Sequence, residues 1–310
     1  MNERTMLKVV TVAVPATTAN LGPGFDCLGL TLDVWNEVTV TVDEDRLHVS
    51  VQGEGAGLLS DDESNPIVRA ALDLLEERSA RPLGLRIECR NSVPPASGLG
   101  SSATAVLAGL LAANTLLGGP LASDELLARA VQQEGHPDNV AAALYGGLVI
   151  VVEREGVLLV RRFDVPRTHV TVVIPTVAAS TRRSRESLPE VVPLADAVYN
   201  IGRAALVVEA LRSGDLGLLA QVMDDRLHQE RRLQGIAGAA AALRAGREAG
   251  AGAVALSGSG PSLIAFAPSR TSAAAAGEAM ADTLRAAGTE CRTLAPTTTT
   301  HPARVDVVPG

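Results

Sequence analysis

Residues 94–103, with the sequence PPASGLGSSA, lead directly into an apolar, alanine-rich stretch from Thr104 to Asn114. This stretch predicts a helix, and the first N–H groups of a helix lack partners and carry partial positive charge. Gly98 and Gly100 permit positive φ angles and a close approach of the backbone to a ligand. The segment therefore predicts a loop that binds a polyphosphate, most simply ATP, at a helix N-terminus. A serine-rich helix cap without a ligand is the alternative.

The loop differs from the two common nucleotide-binding signatures. No lysine follows its second glycine, as a Walker A loop requires. Its glycines do not follow the GxGxxG order of dinucleotide-binding folds either. A P-loop or a Rossmann-type site is therefore not expected.

Length and composition limit what surrounds this loop. The chain has 310 residues, enough for one large or two moderate domains, and 46% of them are hydrophobic but only 2% aromatic. Alanine, valine and leucine must therefore form the core. A net charge of −8 without a long basic run argues against binding to nucleic acid. The three cysteines, Cys27, Cys89 and Cys291, match no metal-ligand spacing and are predicted to be free thiols.

Two signals bear on location in the cell. The N-terminal residues lack the apolar core and cleavage pattern of a secretory signal. The sequence also has no apolar run long enough to span a bilayer. We therefore expect a cytoplasmic protein that does not bind a membrane.

Hydrophobic periodicity predicts alternating strands and helices in two successive groups. The predicted strands lie at 9–14, 32–42, 47–51, 83–89, 147–153, 157–163, 170–174, 253–256, 263–267 and 290–294. The predicted helices lie after Pro66 and at 101–117, 123–134, 194–213, 216–229, 236–249 and 271–287. The pattern restarts after residues 164–167, which predicts one domain at 1–165 and a second at 166–310. The segment after residue 296, with its run of four threonines, is expected to be a mobile tail.

Two other loops combine glycine with polar residues. Residues 14–26, VPATTANLGPGFD, place Asn20 and Asp26 in a stiff loop suited to orienting a small polar substrate. Residues 256–262, LSGSGPS, lie between two apolar strands and are a second candidate for anion binding. An elaborate turn and a simple hairpin turn are the respective alternatives.

Together these three segments resemble the signature motifs of the GHMP small-molecule kinases, in the same order. Residues 14–26 and the segment EGHPDNV at 134–140 are most similar to the homoserine kinase family within that superfamily. The resemblance covers about residues 10–267. It implies a two-domain α+β fold, with an N-terminal domain like ribosomal protein S5 domain 2 and a ferredoxin-like C-terminal domain. The nucleotide is then expected in the cleft between the two halves.

The resemblance also implies how ATP and Mg²⁺ are bound. Ser102 and Glu134 are expected to hold Mg²⁺ through a hydroxyl and a carboxylate oxygen. Asn65 is expected near adenine, and a helix cap is the alternative for it. The expected ATP-binding residues are Asn65, Pro94, Pro95, Ala96, Ser97, Gly98, Leu99, Gly100, Ser101, Ser102, Ala103 and Thr104.

The implied acceptor is L-homoserine, a zwitterion, whose phosphorylation belongs to threonine biosynthesis. Arg185 and Arg232 are expected to bind its carboxylate together with Thr181. Asp26 is expected to accept from its hydroxyl or ammonium group. Asn20 and His136 would complete the polar lining, and no proton transfer is assigned to His136.

Catalysis is the least determined part of the site. Asn139 occupies the position at which mevalonate kinases and galactokinases carry an aspartate, and an amide cannot accept a proton. We therefore expect direct attack by the substrate hydroxyl, with Asn139 and Arg185 in the catalytic centre and positioning as the source of catalysis. A general-base role for Asp138 remains the alternative.

Other functions and an assembly state are also considered. A mevalonate- or sugar-type GHMP kinase and a catalytically silent nucleotide- or metabolite-binding relative are the alternative functions. An RNA-binding domain is disfavoured by the negative charge and the scarcity of aromatic residues. The family resemblance implies a homodimer.

Overall fold

The computed structural model describes residues 9–43, 45–177 and 181–308, and the side chains of residues 181–183 and 308 lie outside that description. The strands are β1 (Val9–Ala19), β2 (Leu28–Asp43), β3 (His48–Gly53), β4 (Gly84–Asn91), β5 (Leu148–Arg154), β6 (Val157–Phe163), β7 (His169–Pro175), β8 (Ala253–Leu256), β9 (Leu263–Ala267), β10 (Cys291–Leu294) and β11 (Arg304–Val308). The helices are α1 (Pro66–Glu77), α2 (Ser101–Leu116), α3 (Ser123–Glu134), α4 (Asp138–Tyr145), α5 (Thr181–Glu186), α6 (Leu194–Ser213), α7 (Leu216–Val222), α8 (Gln229–Leu233), α9 (Ala239–Glu248) and α10 (Arg270–Ala286).

The strands form two sheets, each covered by helices. The first has seven strands, in the order β11-β1-β2-β4-β3, with β5 paired to the first residues of β2 and β6 paired to β5. The second has four antiparallel strands in the order β10-β7-β9-β8. Helices and mostly antiparallel sheets in this arrangement are the expected α+β architecture.

The core of the first part is aliphatic, as the composition predicts. It packs α1, α2 and α4 against the first sheet, and its members are almost all valine, leucine, isoleucine and alanine. Helix α2 is buried on nearly every side, so its apolar residues show little amphipathic periodicity. This burial fixes the N-terminal end of α2, which carries the glycine-rich loop.

The predicted helix at 216–229 is wrong as a single element. Helix α7 ends at Val222 and a separate helix, α8, begins at Gln229. The carboxylate of Asp225 accepts the N–H groups of Leu227, His228 and Gln229 at 2.7–3.1 Å. Leu227 and His228 precede α8, so Asp225 orders the turn between the two helices and binds the first N–H group of α8, at Gln229.

The expectation of a mobile C-terminal tail is also wrong. Thr298 and Thr299 are buried, and β11 pairs with β1 along five residues of each strand. The first sheet therefore includes residues from both sides of position 165. The division into domains at 1–165 and 166–310 stays a prediction.

The helices were also compared with the length and hydropathy of a membrane span. None of those in the described ranges meets both requirements.

Candidate active site

The three glycine-containing loops meet around a cleft of about 340 Å³. Of the site residues predicted from the sequence, the cleft is lined by Asn20, Asp26, Ala96, Ser97, Gly98, Gly100, Ser101, Ser102, Ala103, Glu134, His136, Asn139, Arg185 and Arg232. Asp138, Gly258, Ser259 and Gly260 complete the lining. Residues separated by up to 240 positions in the sequence are thus brought to one site. The arrangement has room for a phosphate chain at one end and a small polar molecule at the other.

The glycine-rich loop is held rigidly at the start of α2. Gly100 is the N-cap residue with φ 71°, and a Cβ there would overlap the Oγ1 of Thr17. The N–H of Thr17 donates to the carbonyl of Leu99 at 3.1 Å, and Leu99 is buried in the core. Ser97 closes the turn by donating from Oγ to the carbonyl of Pro94 at 2.7 Å. The free N–H groups at the start of α2 therefore face the cleft in a fixed orientation.

Four predicted loop residues do not line the cleft. Leu99 anchors the loop, and Thr104 accepts from the Nδ2 of Asn36 at 3.2 Å inside the protein. Pro94 is buried, and Pro95 lies on a neighbouring pocket. These residues support the loop. The small residues between them, such as Ala96, Gly98 and Gly100, line the cleft.

Residues 256–262 form a structural turn that supports the loop. The N–H groups of Ser257, Gly258 and Gly260 all donate to backbone carbonyls. The Oγ of Ser257 donates to the carbonyl of Gly98 at 2.8 Å. With these N–H groups already engaged, the turn braces the phosphate-binding loop from behind and is not an independent anion site.

Ser102 and Glu134, the two predicted metal ligands, are in contact. The Oγ of Ser102 donates to Oε1 of Glu134 at 2.6 Å. Burial raises the pKa of Glu134, and the hydrogen bond from Ser102 and the nearby His136 oppose that rise. A partly buried carboxylate whose charge is not fully compensated favours a cation beside it. The described part of the chain, this region included, has no cluster of three or more His, Cys, Asp or Glu residues that could hold a metal.

The first loop forms the end of the cleft that is predicted to bind the acceptor. Asn20 adopts a left-handed conformation with φ 67°, and its Nδ2 donates to the carbonyl of Gly258 at 2.7 Å. Its Oδ1 accepts the N–H of Asp26 at 3.0 Å. Asn20 thus joins two loops and fixes the backbone of Asp26. The carboxylate of Asp26 then receives both Nη groups of Arg185 at 2.8 Å.

Arg232 reaches the same end of the cleft from α8. It is only 7% exposed, and its Nη1 donates to the carbonyl of Gly258 at 3.3 Å. Burial lowers the pKa of Arg232, although a guanidinium remains charged at neutral pH. Its Nε is buried and has no partner among the described residues. The guanidinium groups of Arg232 and Arg185 lie 5.2 and 5.5 Å from the ring of Phe25, so two cations converge on this aromatic side chain.

His136, Asp138 and Asn139 form one hydrogen-bonded group at the start of α4. Oδ1 of Asp138 accepts the N–H of Asn139 at 2.7 Å and its Nδ2 at 3.0 Å, and Nδ1 of His136 lies 3.2 Å away. The contact with Asp138 raises the pKa of His136. Asn139 accepts from the Oγ1 of Thr17 at 2.8 Å. The amide of Asn139 is therefore oriented by fixed neighbours and, being an amide, has no basic site for a proton.

Asn65 serves as a helix cap. Its Oδ1 accepts the N–H of Ile67 at 3.0 Å, and its Nδ2 donates to the carbonyl of Ser60 at 2.8 Å. It also lines a pocket of about 150 Å³ that adjoins the phosphate-binding loop. That pocket is mostly apolar, with Val38, Ile67 and Pro95 among its lining residues. The predicted nucleotide contact of Asn65 remains a prediction, and the side chain of Thr181 lies outside the described residues.

The sequence prediction missed Phe25 and His228. His228 is buried beside Arg232 and stacks on Phe25, with ring centroids 5.0 Å apart. Phe25 lies in the first loop, and the chain has only three phenylalanines. An aromatic residue within a polar loop was therefore a signal that the sequence offered. His228 gave no local signal, because its importance arises from contacts with residues more than 200 positions away.

The family models agree with this arrangement. The model described as "GHMP kinases N terminal domain" matches residues 65–147, and "GHMP kinases C terminal" matches residues 207–286. A crystal structure of L. major mevalonate kinase in complex with R-mevalonate superimposes with a TM-score of 0.70, covers 97% of each chain and is 20% identical. This similarity concerns the fold alone. The fold and the cleft are those of a GHMP kinase.

More similar relatives define the group within that class. A homoserine kinase from Moorella thermoacetica is 45% identical over 281 residues, which covers 90% of this chain and 94% of the relative. A crystal structure of homoserine kinase from Cytophaga hutchinsonii is 31% identical, has a TM-score of 0.85 and covers 99% of this chain and 100% of the other. The chain belongs to the homoserine kinase family of GHMP kinases.

Proposed function

We propose that this enzyme transfers the γ-phosphoryl group of ATP to the hydroxyl of L-homoserine, giving O-phospho-L-homoserine for threonine biosynthesis in the cytoplasm. The observation that carries the proposal is the charge pattern opposite the phosphate-binding loop. One carboxylate, Asp26, and two guanidinium groups, Arg185 and Arg232, converge there. An amino acid zwitterion has the complementary pair of charges, whereas mevalonate has no cation and galactose has no charge.

The nucleotide end of the cleft supports ATP as the phosphoryl donor. The free N–H groups at the start of α2 and the left-handed Gly98 and Gly100 form a concave, electropositive surface for the phosphates. The apolar pocket of about 150 Å³ shares Ala96, Ser101 and Ser102 with this surface. In this proposal the adenine base occupies the apolar pocket and the phosphates lie on the adjoining loop.

Ser102 and Glu134 fit a Mg²⁺ ion. Both offer hard oxygen atoms, and Mg²⁺ commonly takes one or two protein ligands and fills its shell with phosphate oxygens and water. The partly buried Glu134 has a raised pKa, which a bound cation would lower again. When bound, the ion would neutralise charge on the phosphate oxygens. The chain's own contribution is to hold two oxygen ligands 2.6 Å apart at the end of the phosphate loop.

The acceptor is oriented by residues on three loops. In this proposal Asp26 takes the ammonium group, and Arg185 and Arg232 take the carboxylate with planar, directional N–H groups. The hydroxyl then points toward the phosphate loop, beside Asn139 and His136. Fixing both ends of a small flexible molecule removes its translational and rotational freedom, which is a large source of rate acceleration.

Proton removal does not need a strong base in this scheme. Asn139 cannot accept a proton, and the phosphoryl group itself can take the hydroxyl proton as the new bond forms. Asp138 is the one carboxylate next to Asn139, and its Oδ1 is already engaged in three short contacts. We therefore assign to Asp138 the orientation of His136 and Asn139.

The proposal is extended to a homodimer. Helix α6 exposes a stripe of large apolar side chains at i, i+4, i+7 spacing: Leu194, Val198 and Ile201, next to the exposed Val191. An apolar helix face in water favours burial against a partner. Sedimentation equilibrium of the wild-type chain and of Ile201→Glu tests this part separately from the activity. A monomeric wild type would overturn it.

A coupled assay of ADP release tests the proposed reaction. Purified enzyme with Mg²⁺ and ATP is given L-homoserine, L-serine, mevalonate or galactose in parallel. Homoserine should be by far the best substrate, because serine carries the same charges but its hydroxyl is one methylene closer to them. Turnover of mevalonate or galactose with none on homoserine would overturn the assignment. Binding of ATP without turnover of any acceptor would instead support a silent relative.

A further inference from the structure

His228 is a buried histidine that touches the acceptor end of the cleft without lining it. It is 1% exposed and precedes α8. Its Nε2 lies 2.8 Å from the carbonyl oxygen of Gly22, and its Nδ1 lies 3.2 Å from the Nη1 of Arg232. Its ring stacks on Phe25 at an interplanar angle of 26°. The side chain is therefore held by polar contacts at both ring nitrogens and by an aromatic contact on its face.

These contacts are compatible with one protonation state only. A carbonyl oxygen can only accept, so Nε2 must carry the hydrogen. An arginine nitrogen can only donate, so Nδ1 must present its lone pair. Burial lowers the pKa of His228, which favours the neutral ring. The carboxylates of Asp225 and Asp26 oppose this. Oδ2 of Asp225 lies 3.7 Å from Nε2, but the oxygens of Asp225 already accept several backbone N–H groups and the Nδ2 of Asn200.

The consequence concerns the orientation of Arg232. Its Nη1 is shared between Nδ1 of His228 and the carbonyl of Gly258. Its Nε is buried, with no acceptor among the residues that the structure describes. Nη1 is thus occupied by the protein and Nε is closed off from the cleft, so Nη2 is the nitrogen left for a ligand. A carboxylate can accept a charge-assisted hydrogen bond from Nη2, provided that the guanidinium plane is fixed.

We propose that His228 is a positioning residue for the acceptor site: as the neutral Nε2–H tautomer, fixed by Gly22, it holds Arg232 so that its Nη2 group is presented to the substrate carboxylate. The inference rests on the proposed function for the identity of that substrate. It assigns to His228 no contact with substrate and no proton transfer. It also explains why a histidine is used, since one small ring must donate on one side and accept on the other.

Two amide variants separate the two contacts of the ring. In His228→Asn, Oδ1 takes the place of Nδ1 and can still accept from Arg232. In His228→Gln, Nε2 takes the place of the ring Nε2 and can still donate to Gly22, while the acceptor for Arg232 is lost. His228→Gln should raise the KM for homoserine roughly 10- to 100-fold, as expected for a lost hydrogen bond to a charged group, and should leave the KM for ATP within about 2-fold. His228→Asn should recover most of the homoserine KM.

A double-mutant cycle and a matched control test whether the effect passes through Arg232. In an Arg232→Ala background, His228→Gln should change the homoserine KM by less than about 2-fold. The exposed His48, changed to Gln, serves as the control and should match wild type. Equal effects of His228→Gln on both KM values, or strictly additive effects with Arg232→Ala, would overturn the proposal.

Nitrogen-15 NMR of the histidine ring tests the tautomer without any turnover. The ring nitrogens of His228 in the wild-type protein should report a protonated Nε2 and an unprotonated Nδ1 at neutral pH. A charged ring or the opposite tautomer would overturn the proposal. If the tautomer is as expected but wild type does not phosphorylate homoserine, the proposed function fails and the positioning of Arg232 by His228 stands.

Discussion

Arg185 and Asp26 form a bidentate ion pair across the cleft, with each Nη group 2.8 Å from a different carboxylate oxygen. The residues lie 159 positions apart in the sequence, and the pair connects helix α5 to the first loop. In the proposed complex, Asp26 binds the ammonium group and Arg185 the carboxylate of homoserine. The ammonium group of the substrate would therefore take the place of Arg185 beside Asp26, and its carboxylate would take the place of Asp26 beside Arg185.

Removing the guanidinium of Arg185 should impair acceptor binding selectively. We expect Arg185→Ala to raise the KM for homoserine by about 10- to 100-fold, because hydrogen bonds to charged groups contribute about 1.5–3 kcal/mol. Steady-state kinetics with each substrate varied in turn measures this. Arg292→Ala is the control, since Arg292 makes a similar bidentate pair with Glu54 outside the cleft. A parallel rise in the KM for ATP would contradict the assignment.

Asp138→Asn separates orientation from base catalysis. The amide oxygen of the variant can keep the hydrogen bond from the N–H of Asn139. If Asp138 only orients its neighbours, we expect kcat to fall by less than about 10-fold, whereas loss of a general base costs about 10²–10⁴-fold. Rapid-quench measurement of the phosphoryl-transfer step gives the answer. A loss in the larger range, with unchanged folding and substrate binding, would make Asp138 the base.

Glu134→Gln should weaken Mg²⁺ binding without lowering the stability of the ligand-free protein. Burial raises the pKa of Glu134, so this carboxyl stabilises the ligand-free protein when protonated and loses that contribution as the pH rises through its raised pKa. The glutamine side chain at position 134 is uncharged at every pH. The melting temperature of the ligand-free variant at neutral pH should therefore equal or exceed that of wild type. Mg²⁺ requires the ionised form, and its affinity in wild type should fall as the pH is lowered through the same pKa.

Thermal melts with and without Mg²⁺ and ADP, recorded from acid to neutral pH, check this prediction. Glu77→Gln is the control, because Glu77 is exposed and its pKa is lowered by the hydrogen bond from Arg129. It should reduce neither the Mg²⁺-dependent rise in melting temperature nor its pH dependence. A Glu134→Gln protein that binds Mg²⁺ and ADP as well as wild type does would rule out Glu134 as a ligand.

Gly100→Ala should disturb the phosphate loop through a steric overlap. Gly100 has φ 71°, and a Cβ there would meet Thr17 and Asn139. Left-handed strain and overpacking together predict a loss of about 2–5 kcal/mol in unfolding free energy and a raised KM for ATP. Gly57→Ala is matched in φ, at 73°, but has open space around its Cβ. It should lose only about 1–2 kcal/mol in urea denaturation and keep the wild-type KM; equal losses at the two positions would refute the overlap.

Thr31→Val tests whether the C-terminal segment is part of the fold. The Oγ1 of Thr31 donates to the carbonyl of Thr299 at 2.6 Å and accepts the N–H of Gly147 at 2.9 Å, both in the interior. Leaving these groups without partners should cost about 2–4 kcal/mol in unfolding free energy. At Thr115, whose Oγ1 donates to the carbonyl of Leu111 within α2, the same change should stay within about 1 kcal/mol. A neutral result at Thr31 would mean that the segment is not held there.

The sequence by itself determined the left-handed glycine loop before α2 and the type of fold. Gly98 and Gly100 before an apolar helix require a particular local backbone, and local backbone preferences are properties of the residues themselves. The pairing of Ser102 with Glu134 was also predictable, because both belong to motifs with fixed roles. Likewise, the aliphatic composition required a core of alanine, valine and leucine.

Only the tertiary structure decided what the remaining residues do. The tail after residue 296 has no strong local preference, and pairing of β11 with β1 supplies the hydrogen bonds that order it. The break between α7 and α8 depends on Asp225, which acts on backbone groups of its own loop. His228 is an unremarkable histidine in the sequence. Burial between Gly22 and Arg232 fixes its tautomer, since each buried polar atom there must find a partner of the opposite kind.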